Sequence, residues 1–489
     1  MDVDAAMLLK RVIDLGLEFK GRPEIFGQRV HPHALRDRLL DDLPEASRSI
    51  DDVLDEFRTA VLPSCKNESS PHFLGFGDTG DDVAALAGNL LATFTQQNLI
   101  NQSFDAPSAT FVEIAVLRWL RALIGYVNPA PCDVSSVWDV GGLMTHGGTM
   151  SNTVAMMLAR EQHAPGTMER GIDDPSRLSI LVPRGIGHYS VKSALTWIGI
   201  GRRIIEVDTI DYRYDLAALE RALREHHGRI MAVVAYAGDS RTHTIEHLRR
   251  VHDVVRAVDE RVWLHADACW GFLCAFSDQL VHKLDGIACF DSVTMDPHKV
   301  MAVPYASSAL LVKSPGVLRS IASYSSLIMQ EDFAFGQATP FIGTKAWMSL
   351  KLWMSMRTHG RRGLAELAER RVHAARAFAA RVDAQPRLVR LHDPDLLAVA
   401  FLYIPGDVDM ADPDVARINE VNLRIHGRML DEGRWHLHQF ALPDDTGRVR
   451  RGAIVHPLRF MAANLRIDAA HMDGVLDYVV SLGRELERR

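Results

Sequence analysis

The chain has 489 residues, 47% of them hydrophobic and 24% charged. That is too long for one compact core, and the composition excludes a disordered or fibrous protein. Lys and Arg (55) against Asp and Glu (62) leave a net charge of −7, so nucleic acid and anionic membranes are poor partners. No apolar run is long enough to span a bilayer, and the acidic start Met1-Asp2-Val3-Asp4 lacks the basic region of a signal peptide. The five cysteines (Cys65, Cys132, Cys269, Cys274, Cys289) never occur as CxxC, so neither a disulfide framework nor a zinc site is indicated. The expectation is a cytoplasmic enzyme that uses no metal.

In chain order, apolar residues at helical spacing predict helices over Met7–Phe19 and Ile50–Leu62, and Pro63 with the polar Lys66–Ser70 marks a break. Residues 1–70 therefore read as a helical segment. Short β-rich runs follow at Ser179–Val182, Ile204–Val207, Ile230–Tyr236, Val262–His265, Ser292–Met295 and Ser308–Val312. Helical stretches lie between several of them: Ser190–Trp197, Leu216–Glu225 and Ile245–Val258. This alternation predicts an α/β domain over 71–345, a mostly parallel sheet with helices on both faces. Ligands on such sheets bind beyond the carboxyl ends of the strands. From 346 the pattern changes to long helices (Ala346–Arg357, Arg361–Val382), strands such as Leu397–Tyr403 and a closing helix Ala469–Leu486, a smaller α+β domain over 346–489.

Three signals fall at the ends of the predicted strands. Gly147-Gly148-Thr149-Met150-Ser151-Asn152 precedes the helical run Thr153–Gln162. It suits either an ordinary capped helix or an anion held by free amides at a helix N-terminus. In Trp263-Leu264-His265-Ala266-Asp267-Ala268-Cys269-Trp270-Gly271, strand alternation puts His265, Asp267 and Cys269 on one face. A carboxylate there needs a cation, either an arginine or a protonated ring nitrogen. Asp296-Pro297-His298-Lys299 ends a buried-looking strand. Lys299 is either solvated or a desolvated amine of lowered pKa able to form a Schiff base. An anion cradle, a ring counter-ion and an imine-forming amine are together the parts that hold pyridoxal 5′-phosphate.

With these motifs the chain resembles the group II pyridoxal-phosphate-dependent decarboxylases, the family of aromatic amino acid, glutamate and diaminobutyrate decarboxylases. Pro71-His72-Phe73-Leu74-Gly75, Gly147–Asn152, His188-Tyr189-Ser190-Val191-Lys192, His265–Gly271 and Asp296–Lys299 match its motifs in order. The resemblance implies the aspartate aminotransferase-like fold (fold type I) and a homodimer with shared sites. It implies a small amino acid substrate that loses its α-carboxylate. It also implies that Lys299 joins the cofactor aldehyde, Asp267 pairs with the ring N–H and His188 stacks on the ring. Gly148, Thr149 and His298 would contact the phosphate and Ser240 would lie near the cofactor. Phe76 and Thr79 would line the substrate side, with His72 and His146 as further candidates for the pocket.

Two departures bear on the outcome. Where family members carry a loop tyrosine that protonates the product carbon, the segment Gln330–Gln337 offers Phe333 and Phe335, which have no proton to give; Tyr324 lies too early. Oxidative deamination to an aldehyde, or elimination of a side-chain substituent such as a thiol, is therefore the alternative to amine formation. In Gly343-Thr344-Lys345, where relatives often bear an arginine, Lys345 could bind a substrate carboxylate or a neighbouring subunit's phosphate. Phe333 and Lys345 thus join the expected substrate residues.

Overall fold

The computed structural model describes residues 3–326 and 332–487; the expected loop residues Gln330 and Glu331 lie outside them. The N-terminal segment is helical at Val3–Gly21 and Pro32–Leu39. The predicted helix Ile50–Leu62 divides into Ile50–Glu56, a π-turn Phe57–Val61 and a 3₁₀ turn Leu62–Ser64. The ladder ends as Pro63 arrives, because proline has no N–H to continue it.

Seven strands form the central sheet: β1 (Gly142–Thr145), β2 (Ser179–Pro183), β3 (Ile204–Val207), β4 (Ile230–Tyr236), β5 (Trp263–Asp267), β6 (Ser292–Met295) and β7 (Ser308–Val312), in the order β1-β7-β6-β5-β4-β2-β3. Strands β2 to β6 run parallel to one another, and β7 is antiparallel to both β6 and β1. Six of the seven are the runs read from sequence. β1 was not: it is four residues long, starts on a glycine and carries no β-branched residue before its final threonine.

Register sets the site. Tyr236 of β4 pairs with Asp267 of β5, and Asp267 with Thr294 of β6, so three strand ends align on the carboxyl edge of the sheet. Helix Gly148–His163 rises from the end of β1 across this sheet, and twelve of its sixteen residues are buried. Along the helix Ser349–Asp383 the main core reaches Val372, and it also takes in Leu396, Leu397, Met461 and Ala463. A second core gathers Ala375, Phe378 and Val382 with the antiparallel strands Ala398–Tyr403 and Leu458–Met461 and helices Val415–Glu432 and Ala469–Glu487. Both cores share the helix Ser349–Asp383, which is broken at Gly360, where φ is +61°. That break falls in the gap between the two predicted helices. Among the described residues no helix is long and apolar enough to cross a membrane.

Candidate active site

A cavity of about 310 Å³ opens beyond the carboxyl ends of β4, β5 and β6. Its walls bring together residues from six separate stretches: Phe76, Gly148 and Thr149, His188, Ser240, Asp267, and His298 with Lys299. These are most of the residues picked out from sequence.

Asp267 ends β5. Its Oδ2 accepts a hydrogen bond from Asn152 Nδ2 (2.9 Å), and Oδ1 accepts one from the Cys269 amide (3.2 Å). A chain of donors fixes this orientation. Trp263 Nε1 can only donate, and it donates to Ser292 Oγ (2.8 Å). The serine hydroxyl then donates to His265 Nδ1 (2.8 Å), so the ring proton sits on Nε2 and faces Asn152 Oδ1 (3.0 Å). The asparagine amide is thereby turned so that Nδ2 serves both Asp267 and Ser190 Oγ (2.8 Å). Burial holds His265 neutral, its pKa lowered to about 4.

His188 is the N-cap of helix Tyr189–Trp197 and a wall of the cavity at once. Its Nδ1 accepts from the Ser190 amide (3.3 Å) and lies 2.6 Å from Ser190 Oγ, while its own amide donates to Tyr236 Oη (2.8 Å). Burial lowers its pKa, only partly opposed by Asp267. An imidazole that accepts at Nδ1 carries its proton on Nε2.

Lys299 sits in the short helix Pro297–Val300 directly after β6, with Pro297 at its first turn, where a missing N–H costs nothing. Its Nζ lies 2.7 Å from Asp296 Oδ2 and 5.1 Å from the centre of the Trp270 ring. The sequence led us to expect an amine of lowered pKa. Burial does push that way, but the Asp296 carboxylate, with Cys269 and Asp267 behind it, outweighs it and holds the ammonium form well above the ordinary lysine value. His298 Nδ1 donates to the Ser307 carbonyl (2.8 Å), which fixes the ring at the cavity wall.

Gly147, at φ +154°, turns the chain into helix Gly148–His163. A Cβ on Gly148 would lie 2.8 Å from both Asp296 Oδ2 and Cys269 Sγ, so only glycine lets the helix start come this close. The first-turn amides, with the positive end of the helix dipole, are the natural seat for a phosphate. A carboxylate backed by two donors, a lysine beside it and an amide-lined cradle all face one cavity, which fits pyridoxal 5′-phosphate.

Three expected residues fall elsewhere. Thr79 is buried with its carbonyl held by Lys20 (2.8 Å) and is not in the cavity wall. Phe333 packs against the Phe111 ring at 5.1 Å. Lys345 is buried in an ion pair with Glu113 (2.8 Å) and donates to the Met144 carbonyl (3.2 Å); its charge is already matched inside the core, so it does not reach a substrate. His72 lies on Trp435 in the second core, and His146 is solvent-exposed beside the cradle.

The sequence reading missed Asp78 and Arg459, both in the cavity wall. Arg459 is buried. Its Nη2 donates to the Gly75 carbonyl (2.8 Å) and its Nη1 to the Ser240 carbonyl, and its guanidinium lies 5.2 Å from the centre of the Phe76 ring. A lone arginine in the otherwise apolar strand Leu458–Met461 was the available signal.

The family model for the pyridoxal-dependent decarboxylase conserved domain matches residues 32–404. The chain belongs to the pyridoxal-dependent decarboxylase family. It is 28% identical over 473 residues to cysteine sulfinic acid decarboxylase of Homo sapiens, covering 93% of this chain and 90% of the relative. It is 25% identical over 500 residues to glutamate decarboxylase of Drosophila melanogaster (98% and 93%). With the crystal structure of mouse CSAD in apo form it shares the fold at a TM-score of 0.86 and 24% identity, covering 98% and 99% of the two chains. With Rhodiola rosea 4-hydroxyphenylacetaldehyde synthase the TM-score is 0.80 at 20% identity, covering 99% of each. The fold is therefore that of the pyridoxal-dependent decarboxylases, fold type I as expected, and the protein is a lyase whose cofactor is pyridoxal 5′-phosphate.

Proposed function

We propose that this cavity holds pyridoxal 5′-phosphate between Asp267 and the start of helix Gly148–His163, and removes the α-carboxylate of a free amino acid as CO₂ to leave the amine. The observation that carries the reading is the convergence of Asp267, Lys299 and the Gly147–Thr149 cradle on one cavity. When bound, the cofactor supplies an aldehyde to attach the amine and a ring that takes up the electron pair left on Cα.

The chain's own residues do the rest. Lys299 provides the amine for covalent attachment, which requires that its proton leave, with Asp296 at 2.7 Å as the nearest acceptor. Asp267, fixed by Asn152 and the Cys269 amide, keeps the ring nitrogen protonated. His188 covers the ring, while the helix amides, Thr149 and His298 hold the phosphate. Arg459 has a buried Nε without a hydrogen-bond partner in the structure. It offers positive charge to an anionic group of the substrate, in keeping with relatives named for cysteine sulfinic acid and glutamate.

The second reading, aldehyde formation, is favoured by one observation: phenylalanines stand at 333 and 335, and Phe335 is wholly buried beside Lys345. The test for both is a panel of amino acids assayed for CO₂, amine, aldehyde and peroxide under air and under argon. Amine in both atmospheres without peroxide supports the lyase. Aldehyde and peroxide that vanish under argon support oxidation, and no CO₂ from any amino acid would overturn both. A homodimer is part of the proposal. It is supported by the exposed apolar side chains of helix Val3–Gly21 (Met7, Val12, Ile13, Leu17) and of helix Val83–Thr95 (Leu90, Leu91, Phe94). Light scattering at assay concentration tests it, and cell fractionation tests the expected cytoplasmic location.

A further inference from the structure

Removing CO₂ leaves an electron pair on Cα, and one proton must be delivered there in every turnover. The loop position where the resemblance placed a tyrosine has only phenylalanine among its described residues. Another wall of the cavity carries a protonatable group hydrogen-bonded to an exposed side chain. Asp78 lines the cavity together with Lys299. Its Oδ1 is buried without a hydrogen-bond partner. Its Oδ2 accepts from the Tyr305 hydroxyl at 2.8 Å, and Tyr305 is 59% exposed. No donor holds a negative charge on Oδ1, so a proton can sit there without displacing an existing hydrogen bond.

We infer that Asp78 is the proton donor to the substrate's Cα and that Tyr305 recharges it from solvent; this rests on the decarboxylase reading above. The Cα–carboxylate bond breaks and CO₂ leaves. A C–H bond then forms at Cα with the Asp78 Oδ1 proton. The resulting carboxylate accepts a proton on Oδ2 from the Tyr305 hydroxyl as that oxygen takes one from water, and rotation of the carboxyl group turns the protonated oxygen back to the cavity. One solvent proton is consumed per amine, and no oxidant or reductant is needed.

The charges around Asp78 are mixed. Burial favours its neutral form and Asp296 adds to this, whereas His298, Lys299 and the Tyr305 hydroxyl oppose it; the balance lies above the usual carboxylate range. Glu68 and Arg459 lie within electrostatic reach of it and carry opposite charges. Lys299, His188 and Tyr189 are competing donors, since all three line the same cavity.

The experiment uses the holoenzyme and the variants Asp78→Asn and Tyr305→Phe, with a substrate identified by the amino acid panel. In a single turnover under argon, CO₂ and amine are quantified separately by rapid quench. Asp78→Asn is expected to release its first equivalent of CO₂ at the wild-type rate but to form amine about 100-fold more slowly, the size of a lost general acid. Tyr305→Phe removes only a hydroxyl and is expected to slow amine formation roughly 10-fold with the CO₂ burst kept. Independently of turnover, infrared difference spectra of cofactor-free protein at neutral pH should show a carboxylic acid C=O band that Asp78→Asn removes. Amine formed by either variant as fast as by wild type, or no such band, would overturn the proposal while leaving the decarboxylase reading intact. Absence of CO₂ with the wild-type protein would overturn both.

Discussion

The Glu113–Lys345 pair offers a direct measure of how the structure redistributes the charges seen in the sequence. The two side chains are 0% and 1% exposed and 2.8 Å apart, and the ammonium also reaches the Met144 carbonyl. Substituting Glu113→Leu leaves a buried ammonium with one carbonyl for company, and Lys345→Met leaves a buried carboxylate. Breaking such a pair from one side costs about 3–5 kcal/mol, whereas replacing both partners by apolar residues of similar volume is close to neutral. The double variant should therefore recover most of the loss, so the coupling energy in the cycle, the two single losses less that of the double, should be about 6–10 kcal/mol. Urea unfolding followed by tryptophan fluorescence, with cofactor at saturation, reads all four proteins. Single variants costing under about 1 kcal/mol, or a double variant costing the sum of the singles, would refute the reasoning. KM gives a second readout. Because Lys345 does not reach the cavity, the double variant should keep the wild-type KM, and a large rise in KM at intact stability would return Lys345 to the substrate.

Other consequences follow from the same geometry. Asp267→Asn keeps the shape but removes the counter-ion of the ring nitrogen, so kcat should fall about 10²–10³-fold, the scale of one lost electrostatic stabiliser, and cofactor should dissociate more readily, as measured by absorbance on dilution. Gly148→Ala drives a methyl to within 2.8 Å of Asp296 and Cys269; cofactor affinity should drop at least tenfold with little change in the urea midpoint of cofactor-free protein. His265 and His392 are buried with pKa values lowered to about 4. A depressed histidine gives stability that is whole above the unfolded value of about 6.5 and declines as pH falls from there towards about 4, by about 3 kcal/mol per group. Urea midpoints measured between pH 7 and 4 should fall steeply, and a flat profile would contradict the neutral assignment of both rings.

Six of the seven strands of the main sheet were legible because short β-rich apolar runs, several of them separated by helical stretches, are a local signal between residues 179 and 312. The break at Gly360 was equally legible, since a helix cannot keep its periodicity through a positive φ. What escaped depends on distance in the chain. The Lys345 partner is 232 residues away, and nothing near Gly343-Thr344 announces Glu113. Arg459 meets Gly75 across 384 residues. Asp78 stood between two residues that were picked out, Phe76 and Thr79, yet it is the aspartate and not the threonine that lines the cavity. A segment's sequence shows that it approaches a site; which of its side chains turn inward depends on backbone geometry that no short-range pattern encodes.

Three carboxylates share one cavity wall, and the groups opposite each separate their tasks. Asp267 receives two hydrogen bonds from donors with no net charge, Asn152 Nδ2 and the Cys269 amide, so its negative charge is oriented but not cancelled and is available to a protonated ring nitrogen. Asp296 faces the Lys299 ammonium, so its charge is spent on the amine that must attach the cofactor and is neutralised when it accepts that amine's proton. Asp78 meets a neutral phenol on one oxygen and nothing on the other, so burial can keep it protonated. Identical functional groups thus become counter-ion, proton acceptor and proton donor by the company each keeps. A substitution that exchanges their surroundings should exchange their roles. Tyr305→Lys places an ammonium beside Asp78 and should force it to ionise. Amine formation should then slow by about 100-fold, as far as in Asp78→Asn, while CO₂ is still released; an undiminished rate of amine formation would show that surroundings alone do not set these roles.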